Sequence, residues 1–439
     1  MGDSRRTTRR RFLIEGAKAA AATLAVPWLI HDGVLAGAGQ PGANDRIGIG
    51  YIGVGRRGRQ LMGLPPEGRI VAASDVSMTR AEEIAAKYQG KAYQDYRKML
   101  ESKDVDAVIV ATPDHWHALP SIHACQAEKD VYCEKPMTLT VREGRLMVQA
   151  ARKYFRVFQT GSQQRSMAAN RLGCELIRNG RLGKLTEVIA SNYPSPWECD
   201  LPAEPVPDGL DWDAWCGQTE PRPFHTDLYT PRANPGWISF RPYSGGEMTG
   251  WGAHGLDQVQ WALGADASGP IEVWAEGGKL DAPLYREPES RRRGDELCSK
   301  GRRVHFRYAG GVTVTLDNGP GGGAIFIGEK GKLTIDRGRV KSEPEEIALE
   351  PIRDEEIRLY KSDNHMQNWF DSMKSRRAPV ADVEIGHRST TVCHLGNIAR
   401  WLGRKLRWNP ETEMFSGDEE ANALLQRPQR KPYQLPEVV

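Results

Sequence analysis

The sequence predicts an α/β protein: a doubly wound parallel sheet near the N-terminus, then a C-terminal α/β domain built on a large, open, mainly antiparallel sheet. Three observations predict it. Short, continuously apolar segments alternate with helical stretches over residues 46–164, the pattern of a parallel sheet covered on both faces. Beyond that point apolar and polar residues alternate along segments joined by Gly-rich turns, the pattern of a half-solvated sheet. Between the two styles lies an aperiodic stretch rich in Pro, Trp and Gly, residues 194–246. Loops of that length in a compact domain are usually functional.

The first buried strand, Ile47–Ile52, runs into Gly53-x-Gly55-x-x-Gly58. In a strand–turn–helix the first glycine permits the tight turn, the second lets the backbone approach a pyrophosphate, and the third lets the helix pack on the sheet. The helix N-terminus then offers N–H groups to phosphates. A second strand, residues 70–74, ends at Asp75, 22 positions after Gly53, where an acid binds adenosine ribose hydroxyls. The same carboxylate repels a 2′-phosphate, so NAD is expected and NADP disfavoured. The domain is completed by strands over 105–111, 131–133 and 157–160, with helices Met78–Tyr88 and 141–154.

Residues 165–405 read as the second domain. Its strands are expected at 186–192, 271–276, 303–308, 312–316 and 324–335, with Gly310-Gly311 as a hairpin turn. Segments 364–375 and 387–402 read as closing helices; 406–439 reads as a C-terminal tail, whose Pro-rich part after Asn409 is expected to lie along the surface.

The first 38 residues stand apart. Thr8-Arg9-Arg10-Arg11-Phe12-Leu13 is a twin-arginine pattern, followed by an alanine-rich run over 17–30 and by Ala36-Gly37-Ala38 as a cleavage site. The run is short, alanine-rich and interrupted by Pro27, a poor match to a bilayer core of about 30 Å. Export to the periplasm by the twin-arginine route is therefore expected. This leader carries six Lys and Arg against three Asp and Glu, which leaves 54 residues of each sign elsewhere. A balanced chain without a basic stripe points away from nucleic acid and from anionic membranes as partners. Seven cysteines without a Cys-x-x-Cys pair give neither a disulfide nor a metal framework. A Cys199–Cys216 bond is left open.

Three clusters carry candidate chemistry. Thr112-Pro113-Asp114-His115-Trp116-His117 follows one strand of the first domain, and Glu134-Lys135-Pro136 follows the next. Ligands of open α/β sheets bind outside the carboxyl ends of the strands, beside the nicotinamide half of a bound dinucleotide. The third is Ser244-Gly245-Gly246-Glu247-Met248-Thr249-Gly250-Trp251-Gly252-Ala253-His254-Gly255-Leu256-Asp257-Gln258. On a helix starting near Gly252, His254, Asp257, Gln258 and Trp261 share a face. A His with a carboxylate one turn away suits a base and its orienter, and equally a hydrogen-bonded core histidine.

Together these clusters resemble the glucose–fructose oxidoreductase/inositol dehydrogenase/MocA-like (Gfo/Idh/MocA) family, over residues 47–402. The resemblance rests on Gly-Val-Gly-Arg-Arg-Gly (53–58), Ala-Thr-Pro-Asp-His (111–115), Glu-Lys-Pro (134–136) and Gly-Gly…Gly-x-His-x-x-Asp (245–257). It implies a Rossmann domain followed by an open-sheet α/β domain, a homo-oligomer, and pyridine-nucleotide chemistry on a sugar or polyol hydroxyl. Carried over position by position, Lys135 would touch the nicotinamide ribose and the substrate hydroxyl, with His254 as acid/base and Asp257 beside it. Gly53, Val54, Gly55, Arg56, Arg57, Gly58, Asp75, Thr112, His117, Glu134 and Lys135 would form the NAD site. Many members carry Asp four residues before the catalytic His, and here that position is Gly250. Trp237, Arg241 and Tyr243 in the insertion are candidates to line a sugar pocket. Three activities fit: net dehydrogenation, glycoside cleavage through transient oxidation and elimination, or sensing of a dinucleotide or sugar without turnover. Because an exported protein meets little free NAD, the cofactor is expected to be loaded before translocation and held tightly.

Overall fold

The computed structural model describes residues 46–229, 236–286 and 298–439, so the expected export signal lies outside the described residues. Among the described residues no helix is long and apolar enough to cross a membrane.

Strands β1 (Ile47–Ile52), β2 (Gly68–Ser74), β3 (Lys91–Tyr93), β4 (Ala107–Val110), β5 (Asp130–Cys133) and β6 (Phe158–Thr160) form one all-parallel sheet in the order β3-β2-β1-β4-β5-β6. The central strands β4 and β5 are buried along their whole length, which is why they read as continuous apolar runs. Helices α1 (Arg56–Gln60), α2 (Met78–Tyr88), α3 (Tyr96–Leu100), α4 (Ala118–Gln126) and α5 (Val141–Lys153) make the crossovers. α5 starts at a capping box in which Thr140 and Glu143 satisfy each other's backbone N–H groups. The sheet order changes direction at β1, where β2 and β4 flank it on opposite sides, and the carboxyl ends of those strands frame a crevice.

The second domain is organised around a nine-stranded sheet, β15-β14-β13-β7-β12-β11-β9-β16-β17. Its members are β7 (Leu185–Ser191), β9 (Glu272–Ala275), β11 (Val304–Arg307), β12 (Thr313–Asp317), β13 (Gly323–Gly328), β14 (Gly331–Asp336), β15 (Arg339–Glu343), β16 (Leu406–Asn409) and β17 (Met414–Phe415). β8 (Glu198–Cys199) and β10 (Leu284–Tyr285) pair with each other beside it. All neighbours in the large sheet are antiparallel except β7 and β12. α6 (Ala168–Arg178), α7 (Glu247–Gly250), α8 (Gly252–Leu263), α9 (His365–Ser375) and α10 (Val383–Leu402) are its principal helices. Inward residues such as Val304, Phe306, Val314 and Phe326 meet Leu256, Val259, Val392 and Leu395 of α8 and α10 in one core.

Two expectations need correction. Segment 324–335 is two strands, because Glu329-Lys330 turns the chain back and β13 pairs with β14. The tail does not simply lie along the surface. β16 and β17 extend the sheet, and Val439 and Tyr433 pack into the core of the Rossmann domain. Their apolar side chains are too sparse to show as a periodic signal.

Candidate functional site

A cleft of about 460 Å³ opens at the carboxyl ends of β1, β2, β4 and β5 and reaches α8. Gly53 turns with φ of +84°, and a side chain at Gly58 would meet the Gly53 carbonyl oxygen at 2.3 Å, so turn and close helix approach both require glycine. Nothing lies within 4 Å of the position a Gly55 side chain would take, which leaves open space above the loop. Asp75 stands beside it. Its Oδ2 accepts the Val54 N–H and its Oδ1 the Ser77 N–H, each at 2.9 Å. Burial raises its pKa against these hydrogen bonds and the nearby arginines. A carboxylate has further lone pairs for two ribose hydroxyls.

Of the residues assigned to a dinucleotide from the sequence, Gly53, Gly55, Arg56, Arg57, Asp75, Thr112, His117, Glu134 and Lys135 line this cleft. Val54 and Gly58 do not: Val54 is buried in the core and gives the loop only its N–H, while Gly58 faces Gly53. Thr112 Oγ1 is buried with no hydrogen-bond partner among the described residues, a polar atom placed for a ligand. Open space over Gly55, the Asp75 carboxylate and this orphaned hydroxyl fit a dinucleotide. Glu134 ties the wall together, since Oε1 accepts from Arg57 at 2.7 Å and Oε2 from the Lys135 N–H at 3.2 Å. His117 places one ring nitrogen 2.7 Å from the Pro136 oxygen and the other 2.9 Å from the Thr112 oxygen. It thereby couples the two strand-end clusters.

The opposite wall comes from the second domain. Lys135 Nζ donates to the Gly250 oxygen at 3.0 Å, and His254 lines the same cleft with its ring 5.4 Å from that of Trp251. Asp114 Oδ2 accepts from Ser244 Oγ at 2.7 Å, joining the first cluster to the third. A side chain at Gly250 would meet the movable ends of two others, Glu247 Oε2 at 2.6 Å and Ile238 at 3.2 Å. A carboxylate thus sits beside position 250, supplied from one turn earlier.

Asp257 is not the partner of His254 that helical spacing suggested. It is buried, and it accepts from Arg165 Nε at 2.9 and 3.0 Å and from Ser389 Oγ at 2.7 Å. Arg165 is itself buried and also pairs with Asp266 at 2.8 Å. Although Asp257 shares a helix face with His254, its carboxylate is taken up by a buried cation that needs neutralising. Of the insertion residues, Trp237 lines the cleft, while Arg241 and Tyr243 do not. Arg241 stacks on Trp401 at 4.2 Å and faces Glu198. Tyr243 is buried between His115 and Trp215, in an aromatic core that the insertion builds for itself. His115 is a core histidine whose pKa burial pushes down to about 3. All seven cysteines, Cys199 and Cys216 included, are buried thiols.

Sequence reasoning missed several lining residues: Trp251, Gln163, Trp116, Tyr229, Arg337 and Tyr433. Trp116 and Tyr433 meet edge to face at 5.4 Å, so the C-terminal tail closes one side of the cleft. Trp215 and Tyr229 show that the insertion walls it as well. Of the missed residues, Trp116 and Trp251 lay inside clusters that the sequence singled out.

A Rossmann sheet with a glycine loop, an acid at the second strand end, and a lysine and a histidine from the two domains on one cleft defines a dinucleotide-binding two-domain protein. Residues 47–162 match the model of an oxidoreductase family's NAD-binding Rossmann fold, and residues 185–435 match that of its C-terminal alpha/beta domain. The chain belongs to the Gfo/Idh/MocA oxidoreductase family. Among curated relatives, the uncharacterized oxidoreductase YrbE of Bacillus subtilis is 24% identical over 246 residues, 55% of this chain and 60% of that one. The myo-inositol 2-dehydrogenase of Thermotoga maritima is 31% identical over 153 residues, 34% of this chain and 46% of that one. The matches to these two relatives span about half of their lengths. The aldose-aldose oxidoreductase of Caulobacter crescentus, solved with glycerol, shares the fold with a TM-score of 0.56 at 18% identity, over 82% of this chain and 99% of that one.

Proposed function

We propose that the protein is an exported, NAD-dependent oxidoreductase acting on a hydroxyl of a sugar, glycoside or cyclic polyol. The observation that carries the reading is the placement of Lys135 and His254 on one cleft with the Gly53–Gly55 loop and Asp75. Gly53, Gly55, Arg56, Arg57 and Thr112 would hold the pyrophosphate and nicotinamide half, and Asp75 the adenosine ribose. Bound there, NAD supplies the acceptor for the hydride that leaves when CH–OH becomes C=O. The proton of that hydroxyl must go elsewhere. Lys135, positioned by the Gly250 oxygen, would donate to the substrate oxygen, and His254 would accept the proton. The negative charge of Asp75 favours NAD over a 2′-phosphorylated cofactor.

Export rests on the twin-arginine leader, and retention of NAD rests on the walls that the insertion and tail add to the cleft. A residence of about 10⁵ s at an association rate near 10⁶ M⁻¹s⁻¹ needs a Kd around 10⁻¹¹ M. Denaturing dialysed, natively exported protein should release near-stoichiometric NAD(H). The proposal includes a homo-oligomer, which light scattering measures directly. A panel of glycosides tests the chemistry: net NADH identifies the dehydrogenase. Aglycone release without net NADH would replace it with glycoside cleavage by transient oxidation, and neither product would leave a sensor.

A further inference from the structure

Beside an aromatic surface that any sugar ring could use, the substrate half of the cleft carries a positive charge that a neutral sugar would leave unused. Trp251, at the α7–α8 junction, is 39% exposed although it lines the cleft beside His254. Over its ring, 5.7 Å from the centroid, lies the guanidinium of Arg337. Arg337 occupies the two-residue turn between β14 and β15, and that turn is anchored. Gly338, with φ of +78°, donates its N–H to Asn170 Oδ1 at 2.6 Å, and Asn170 Nδ2 donates to Gln258 of α8 at 2.9 Å. The hairpin tip is therefore wired to the helix that bears His254.

Among the cleft residues of the second domain, charge balance marks Arg337. Arg339 and Lys332 of the same hairpin face Asp336 and Glu343, whereas Arg337 has no carboxylate partner among the described residues. The five carboxylates lining the cleft are all engaged. Arg57 holds Glu134, Arg97 holds Asp95, and Ser244 holds Asp114, while Asp75 and Asp211 accept backbone N–H groups. A planar guanidinium over an exposed indole binds a carboxylate through two parallel N–H donors, while the indole face takes the apolar face of a sugar ring. We infer that the substrate is an acidic sugar, its ring on Trp251 and its carboxylate on Arg337. This inference rests on the oxidoreductase reading for the reaction, not for the binding.

The test uses full-length, NAD-loaded protein and pairs of methyl glycosides that differ only in a C6 carboxylate or hydroxymethyl group, in the gluco, galacto and manno series. Binding is read by quenching of tryptophan fluorescence and turnover by reduced nicotinamide. At least one acid should bind about 10–100-fold tighter than its neutral mate. Arg337→Gln should collapse that ratio to within about threefold, while Arg337→Lys, which keeps the charge, should retain part of it. Equal binding within every pair, an unchanged ratio in Arg337→Gln, or no binding by any acid would overturn the inference. Acid-selective binding without nicotinamide reduction would sustain it while defeating the oxidoreductase reading. Reduction by neutral sugars at an unchanged ratio would do the reverse.

Discussion

The two walls of the cleft reach the same space by different routes. On the Rossmann wall, Gly53, Asp75, Thr112 and Lys135 each follow the end of a parallel strand by only a few residues. On the facing wall, Trp237 comes from the insertion, Trp251 and His254 from a helix junction and Arg337 from a hairpin turn. A parallel sheet delivers its strand ends to one edge automatically, so the cofactor wall follows from the fold. The substrate wall exists only after separate segments pack together. The choice between NAD and NADP should accordingly follow the first wall and the choice of substrate the second, while the insertion and tail affect how long NAD stays bound. Lys135, which bridges the walls through the Gly250 oxygen, is the exception.

Variants can break that division. Lys135→Ala should slow turnover by about 10²–10⁴-fold while NAD still binds, measured by steady-state kinetics and calorimetry. An effect within a few-fold would make Lys135 structural. Asp257→Asn should act on stability, by about 3 kcal/mol, because buried Arg165 loses one of its two counter-charges. A full-length protein that melts normally but fails in catalysis would return Asp257 to the active site. Asp75→Ser should bring NADP binding closer to NAD by removing a like-charge contact costing several kcal/mol, with sugar binding unchanged. Unaltered cofactor discrimination would unseat Asp75.

The mildest effect is pH-dependent. Burial holds His365 and His394 neutral, with pKa values pushed down to about 4. Between roughly pH 6.5 and 4 the unfolded chain binds protons that the folded chain refuses, so stability falls as pH falls through that window. Thermal melts should show Tm dropping across it. Replacing His394 with Gln should flatten the slope, and an unchanged slope would remove that histidine from the account.

What was legible in the sequence divides along the same line. The glycine loop, Asp75, Glu134 and Lys135 announced themselves because strand, turn and spacing are local properties. Asp257 misled because helical spacing gives a residue's angle on the helix but not what packs beside it. The helix face toward His254 was correct in period, yet Arg165, 92 positions away in sequence, took the carboxylate. Tyr243 misled for a related reason, since aromatic richness in the insertion mostly supplies its own core. Arg337 and Tyr433 left no local signal, because a turn arginine and a tail tyrosine acquire meaning only from what they are packed against.

The account's central claim is that Lys135 and His254 handle the hydroxyl while the opposite loop holds NAD. Single-turnover mixing of NAD-loaded parent, Lys135→Ala and His254→Ala with a sugar that the parent oxidises tests it most directly, with bound NAD quantified in the same samples. The account predicts equal NAD occupancy in all three and rapid nicotinamide reduction in the parent alone. Reduction in both variants at the parent's rate, or loss of NAD from both, would contradict it.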